Sequence, residues 1–118
     1  MADVLQRGPG EQPEVRVVRW CGAHDLVRAA ILTSTQAIGS GRDKFSDLDI
    51  ILVLRDIRPL SEHREWLSDF GDVLAAWRDT TALKHDPPRT CWVTQYVDGS
   101  KIDFTLWPIE LLREMARS

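Results

Sequence analysis

The segment that most constrains the fold is Asp47 to Leu54, with the sequence DLDIILVL. After its two carboxylates it is a continuous run of β-branched residues and leucine, which is typical of a strand buried on both faces. Such a strand needs neighbouring strands on either side and helices packed over the sheet. We therefore expect a central strand in an α/β (α+β) domain, whose small, partly antiparallel mixed sheet has helices on one face.

A second local signal is the segment Trp92 to Trp107, in which two alternating apolar and polar runs are joined through Asp98-Gly99. This dipeptide favours the positive φ angles of a tight hairpin turn. Pro108 then suits the first position of a helix, because its φ angle is already helical and its missing N–H costs nothing there. The sequence predicts a β-hairpin followed by a final helix that runs to the last residue.

The first part of the chain gives weaker patterns. Residues 1–13 contain two glycines, two prolines and few apolar residues, so we interpret them as a flexible lead-in to one domain over residues 14–118. Alternation and helical spacing both fit residues 14–20, for which we favour a helix. An apolar run of strand length over residues 29–33 predicts the first strand.

Between the buried strand and the hairpin, the pattern predicts one helix and one short strand. Trp66, Leu67 and Phe70 repeat at helical spacing, which indicates a helix from Pro59 to Phe70. Ser61 is its candidate cap, and Gly71 is expected to end it. Residues 73–77 form the strand candidate.

Composition and charge exclude several classes of function. A formal net charge of -3 over 118 residues offers no basic surface for a nucleic acid, and no apolar run approaches the length that spans a membrane. Cys21 and Cys91 form no CxxC pair, so we expect buried thiols in a reducing, cytoplasmic setting. The three histidines lack ligand spacing, and the five tryptophans are assigned to core and rim packing.

Three carboxylates are the candidate catalytic residues. Asp47 and Asp49 open the buried strand, and the period-two alternation of side chains places both on one face, roughly 7 Å apart. Neighbouring carboxylates require solvent or a compensating cation such as magnesium. Asp103 lies in the second hairpin strand with apolar residues on the opposite face, and it joins the pair if the hairpin lies beside the buried strand. Three carboxylates on one patch of sheet suit a two-metal or metal-plus-base site.

A polar stretch follows the first strand, where Thr33, Ser34 and Thr35 are expected to form a turn that offers amides and hydroxyls to a phosphate. Arg42 and Lys44 lie between this turn and Asp47, close enough in sequence to reach a triphosphate. A plain polar turn and a solvated loop are the alternative interpretations of these residues.

Together these features resemble the nucleotidyltransferase superfamily with its polymerase-beta-like fold. There a Gly-Ser turn, a DxD motif and a later carboxylate occur in this order. Ser34 is followed after twelve residues by Asp47-Leu48-Asp49, as that motif requires. The closer resemblance is to the aminoglycoside 6-adenylyltransferase (streptomycin adenylyltransferase) family, from about Asp25 to Leu112. The similar segments are ILTSTQA, RDKFSDLDIILVL, WLSDFGDVL and DGSKIDFTLWPIELL.

The resemblance implies transfer of AMP from Mg-ATP to a hydroxyl of an aminoglycoside such as streptomycin, a reaction of antibiotic resistance. Asp47 and Asp49 would hold magnesium, and Asp103 would help to hold metal or accept the proton of the attacking hydroxyl. The residues implied to contact the nucleotide are Ser34, Thr35 and Arg42. Acidic walls would also attract a polycationic acceptor.

The sequence departs from the family pattern in its phosphate turn and in its length. Thr33 stands where the superfamily has glycine, and Thr35 stands where close relatives often have arginine. An alternative phosphate turn, Gly39-Ser40, leaves only six residues before Asp47. Family members continue into a helical C-terminal domain that helps to form the acceptor site. Two interpretations are open: the chain is a gene fragment, or it is a minimal protein whose missing wall comes from a partner chain or a homo-oligomer.

Two rival functions remain open at this point. One is a truncated domain that binds nucleotide without turnover. The other is a minimal nucleotidyltransferase of a toxin–antitoxin pair, which would modify a protein partner and form a stable complex with it.

Overall fold

A computed structural model describes residues 13–35 and 47–117, and the first twelve residues of the predicted lead-in lie outside the described part. The elements, in chain order, are α1 (Pro13–Ala23), β1 (Val27–Thr35), β2 (Asp47–Leu54), α2 (Arg58–Glu62), a 3-10 helix (Glu65–Phe70), β3 (Val73–Asp79), a short 3-10 turn (Thr81–Lys84), β4 (Thr90–Tyr96), β5 (Lys101–Pro108) and α3 (Ile109–Arg117).

The strands form one five-stranded mixed sheet in the order β1-β2-β5-β4-β3. The pairing of β2 with β5 is parallel, and the other three pairings are antiparallel. The expected mixed sheet is confirmed, although β5 rather than β2 is its middle strand. Only Leu52, Val53 and Leu54 of β2 are buried in succession, because one face of its first half stays open to solvent.

The core lies on one face of the sheet, where α1, α2 and the 3-10 helix pack. Phe104 of β5 is fully buried, with its ring centroid 4.8 Å from that of Trp66 and 5.1 Å from that of Phe70. Trp20 of α1 stacks on Trp66 at 5.5 Å. Such aromatic pairs add about 0.5–1.5 kcal/mol each to the burial itself. These contacts fix α1 and the 3-10 helix over the middle of the sheet.

The single helix predicted from Pro59 to Phe70 is wrong, because the chain forms α2 and the separate 3-10 helix instead. The break falls at His63, whose φ of -126° and ψ of 143° are extended. Ser61 is a buried residue within α2 and does not cap it. Gly71 ends the second segment as predicted, with a φ of 151° that favours glycine.

Indole donors explain where the helix breaks. The Nε1–H of Trp66 donates to the carbonyls of Leu60, at 3.0 Å, and His63, at 2.9 Å. The indole of Trp92, which comes from β4, also donates to the Leu60 carbonyl, at 2.9 Å. Because Leu60 O accepts two side-chain donors, it is bonded without a continuous α-helix, and this long-range contact is invisible to helical periodicity.

The hairpin is confirmed and consists of β4 and β5. Gly99 has a φ of 94°, in the left-handed region that the Asp-Gly pair predicted, and Tyr96 N donates to Ser100 O at 2.9 Å. Pro108 is the last residue of β5, and α3 begins one residue later, at Ile109. The interpretation of residues 14–20 as a helix is also confirmed, since they lie within α1.

The last helix, α3, contacts β5 and β2 near their carboxyl ends. Leu111 of α3 and Val53 of β2 are buried but lie outside the main core cluster. Val53 alternates onto the face opposite the core, so that face is covered at this end and open at the other. Within the described ranges, no helix is long and apolar enough to cross a membrane.

Candidate active site

The hairpin lies beside the buried strand, as the sequence analysis required, and the strand register brings Asp103 next to Asp49 on the open face. In the parallel pairing of β2 with β5, Asp49 lies opposite Asp103 and Asp47 lies opposite Lys101. Neighbouring strands are about 4.8 Å apart, so directly opposed side chains on one face are neighbours. Since β5 is the middle strand, Asp103 is not an edge residue. Its neighbours Ile102 and Phe104 point into the core, as the alternation predicted.

The environments of the three carboxylates differ. Asp47 is exposed, Asp49 is partly buried, and the Asp103 side chain is 27% exposed. Burial raises the pKa of Asp103, and the negative charge of Asp49 raises it further, while the ammonium of Lys101 opposes both effects. The ionised form of Asp103 is therefore less stable in the folded chain than in water.

One oxygen of Asp103 provides a test of whether a cation fits the site. Its Oδ1 is buried and has no hydrogen-bond partner among the described residues, and Lys101 Nζ lies 3.6 Å away. A buried oxygen without a hydrogen bond is costly unless a cation or water satisfies it. Carboxylate oxygens are the donors that magnesium prefers. The donor atoms of these residues are thus of the kind that binds a divalent cation.

The carboxylates are not yet arranged as a complete metal site. In the part of the chain that the structure describes, no three His, Cys, Asp or Glu side chains lie close enough to hold a metal together. Asp47 is one alternation further along β2, roughly 7 Å from Asp49. A shared cation therefore requires the exposed side chain of Asp47 to turn toward the Asp49–Asp103 pair.

The predicted turn at residues 33–35 is wrong, because β1 continues through Thr35. A register shift occurs between Leu32 and Ser34, after which Ser34 pairs with Asp49 and Thr35 with Leu48. The irregularity lengthens the strand across polar residues that resemble a loop in sequence. The backbone of Ser34 consequently lies beside Asp49. Arg42, Lys44 and the alternative turn Gly39-Ser40 lie outside the described residues.

Two residues of this face were not identified as site residues from the sequence. Lys101 is two positions before Asp103, so the alternation that grouped Asp47 with Asp49 would have found it. Trp77 of β3 lies opposite Val93, which in turn lies opposite Asp103. It is 51% exposed and not part of the core, unlike Trp20, Trp66 and Trp92.

A cavity of about 210 Å³ lies on the same face, beyond Asp103 along β5. It is lined by Cys91, Thr105 and Trp107 among others. A wider cleft of about 690 Å³ lies at the other end of the sheet, where its lining includes Arg55 and Pro108. The wider cleft begins where β2 and β5 end, so it is far from the carboxylates. The smaller cavity is nearer, since Thr105 in its lining is two residues from Asp103 along β5.

Comparison with known proteins identifies the family and the fold of the chain. The family model described as "Streptomycin adenylyltransferase" matches residues 13–118. Among solved structures, the chain is similar to an aminoglycoside 6-adenyltransferase from Bacillus subtilis, with a TM-score of 0.65 and 19% sequence identity. That match covers 93% of this chain and 38% of the Bacillus chain. A search of curated proteins finds no significant match.

At this identity the structural match shows the fold, which is that of a nucleotidyltransferase. The expected fold class is thereby confirmed, including the mixed sheet that carries the carboxylates. The chain spans 38% of the length of the Bacillus protein, so the activity and substrate of that whole protein are matters for proposal here.

Proposed function

Because the chain belongs to the streptomycin adenylyltransferase family, we propose that it binds Mg-ATP on the open face of the sheet and transfers AMP to a hydroxyl of an aminoglycoside. The observation that carries this proposal is the pairing of Asp49 with Asp103 on adjacent strands, with Asp47 one alternation away. Paired carboxylates can hold a magnesium ion, and the ion allows the negatively charged triphosphate of ATP to bind beside acidic side chains.

Asp47 and Asp49 are the residues that would hold the magnesium ion, and Asp103 is the third candidate ligand. Bound there, magnesium supplies charge neutralisation to the transferring phosphoryl group. The Oδ1 atom of Asp103 supports this assignment, since it is buried without a hydrogen bond. Ser34, whose backbone pairs with β2 beside Asp49, is the residue that would contact the phosphates.

Asp103 has a second candidate role as the proton acceptor for the attacking hydroxyl. Burial and the neighbouring Asp49 raise its pKa, which makes its carboxylate a stronger base than a solvated aspartate. The role needs a carboxylate near the acceptor, and the cavity lined by Thr105 and Trp107 lies on the same face two residues further along β5. We assign that cavity to part of the aminoglycoside acceptor or to the adenine base of ATP.

An aminoglycoside such as streptomycin fits the charge of this face. The acceptor is a polycation, and Asp47, Asp49 and Asp103 outnumber Lys101 among the site residues. A field of this sign gathers cationic ligands and raises their local concentration. Trp77, which is exposed on the same face, offers a flat surface for an ammonium group or a ring of the acceptor. A partner chain or a second copy would complete the acceptor site on this open face.

The test follows pyrophosphate release from ATP in the presence of magnesium, with and without streptomycin. The variants are Asp49→Asn and, as a matched control, Asp25→Asn, which removes one exposed carboxylate elsewhere in the chain. We expect streptomycin-dependent release by the wild-type chain and by the control. We expect the rate of pyrophosphate release to fall by at least about a hundredfold in Asp49→Asn, since charge neutralisation in the transition state would be impaired.

The other outcomes separate the rival functions. If the chain binds ATP with magnesium but releases no pyrophosphate with any acceptor, its function is nucleotide binding alone and not AMP transfer. Release that persists in Asp49→Asn would contradict the assignment of the site.

A further inference from the structure

Lys101 is the one basic side chain that the described strands place among the three carboxylates. In the pairing of β2 with β5 it lies opposite Asp47, and along β5 it precedes Asp103 by two residues on the same face. Its Nζ atom lies 3.6 Å from Asp103 Oδ1, and its side chain is 34% exposed. The ammonium therefore lies beside Asp103, on the pair of strands that carries the three carboxylates.

The contact between Lys101 and Asp103, at 3.6 Å, is an ion pair without a hydrogen bond at Asp103 Oδ1. Partly exposed ion pairs of this kind contribute little to folding, so stability alone is a poor reason for the lysine. Its charge, however, reduces the net charge of the cluster from three negative charges to two.

We propose that Lys101 is a positioning residue that makes the site selective for metal bound to a triphosphate over metal alone. Its ammonium holds the Asp103 carboxylate and repels a free divalent cation. When a triphosphate is present, the same ammonium has an anionic partner and favours binding. This inference rests on the proposed function, because it assumes that the three carboxylates receive a magnesium nucleotide.

The proposal predicts opposite changes for two ligands. Removing one positive charge at about 6 Å from a divalent cation, in a largely aqueous dielectric, changes the binding constant by about tenfold. Lys101→Gln should therefore bind free Mn²⁺ about tenfold more tightly than the wild-type chain. The same variant should bind Mg-ATP about tenfold more weakly. A loss of structure would weaken both, so the opposite signs distinguish positioning from folding.

The experiment measures Mn²⁺ binding by electron paramagnetic resonance and Mg-ATP binding by calorimetry, at low salt and pH 7.5. Two control variants accompany Lys101→Gln. Lys101→Arg keeps the charge and should hold both affinities within about threefold of the wild type. Lys84→Gln removes one exposed positive charge from the short 3-10 turn and should change neither.

The outcomes for Lys101 and for the proposed function are separable. If the wild-type chain binds neither Mn²⁺ nor Mg-ATP, the proposed function fails. The inference about Lys101 is overturned if the wild-type chain binds both ligands and Lys101→Gln changes the two affinities in the same direction. It is also overturned if Lys101→Gln changes neither affinity. A thermal melt of each variant verifies that the compared chains are folded.

Discussion

Replacing Asp103 by asparagine should stabilise the chain when no divalent cation is present. Asp103 and Asp49 lie opposite each other on neighbouring strands, and two like charges about 5 Å apart repel by about 1–3 kcal/mol at effective dielectric constants near 80 to 20. The lost ion pair with Lys101 offsets about 0–1 kcal/mol of that gain. The net expectation is a free energy of unfolding about 1 kcal/mol higher, or a melting temperature about 4 °C higher.

The pH dependence gives this prediction its sign. The pKa of Asp103 is raised in the folded chain, so its contribution to stability is fully present below the ordinary pKa of aspartate. That contribution is lost as the pH rises through the raised folded value. The advantage of Asp103→Asn should therefore vanish in acid and be complete at neutral pH. Thermal melts between pH 3.5 and 7.5, in buffer with chelator, measure the difference.

Magnesium should reverse the order of the two chains. At a concentration one hundred times its dissociation constant, a ligand specific for the folded state stabilises it by about 2.7 kcal/mol. The wild-type chain should gain this stability, and Asp103→Asn should gain less. Asp25→Asn serves as the control and should match the wild type throughout. An Asp103→Asn variant that is less stable than the wild type at pH 7.5 without metal would refute the reasoning, because the carboxylate would then be well satisfied.

Three further predictions concern packing, hydrogen bonding and thiol chemistry. Phe104→Ala should lower the free energy of unfolding by about 3–5 kcal/mol in denaturant titrations, whereas Trp77→Ala, at an exposed position, should change it by less than about 1 kcal/mol. Tyr96→Phe removes the hydroxyl that donates to Leu67 O at 2.8 Å and should cost about 1–2 kcal/mol in the same assay. Burial raises the pKa of Cys21 to about 11, so its alkylation should stay slow at pH 8 and accelerate only well above pH 9; fast alkylation at pH 8 would contradict its burial.

The parts of the fold that the sequence predicted are those governed by local chemistry. The run after Asp49 predicted a strand inside the sheet, and Asp98-Gly99 predicted the hairpin, because period-two burial and a positive φ angle are both local properties. The meeting of Asp103 with Asp49 required only one further assumption, that the hairpin lies beside the buried strand. The register confirms it.

The parts that failed depend on contacts distant in sequence. The break at His63 is explained by indole donors, one of which comes from Trp92, some 30 residues later. The extension of β1 through Ser34 depends on a register shift against β2. Neither is visible in a window of neighbouring residues, so a helix and a turn were the natural local predictions. Lys101 shares the alternation of Asp103, but a lysine is not a metal ligand, so the pattern that grouped the carboxylates did not include it.

Calorimetric titration of ATP with and without magnesium is the decisive test of the claim that Asp47, Asp49 and Asp103 form one metal-nucleotide site. The wild-type chain and Asp25→Asn should bind ATP only when magnesium is present. The double variant Asp47→Asn, Asp49→Asn should show no magnesium-dependent binding, although it should melt within a few degrees of the wild type. Equal, magnesium-dependent binding by the wild type and the double variant would contradict the claim, as would the absence of magnesium-dependent binding in the folded wild-type chain.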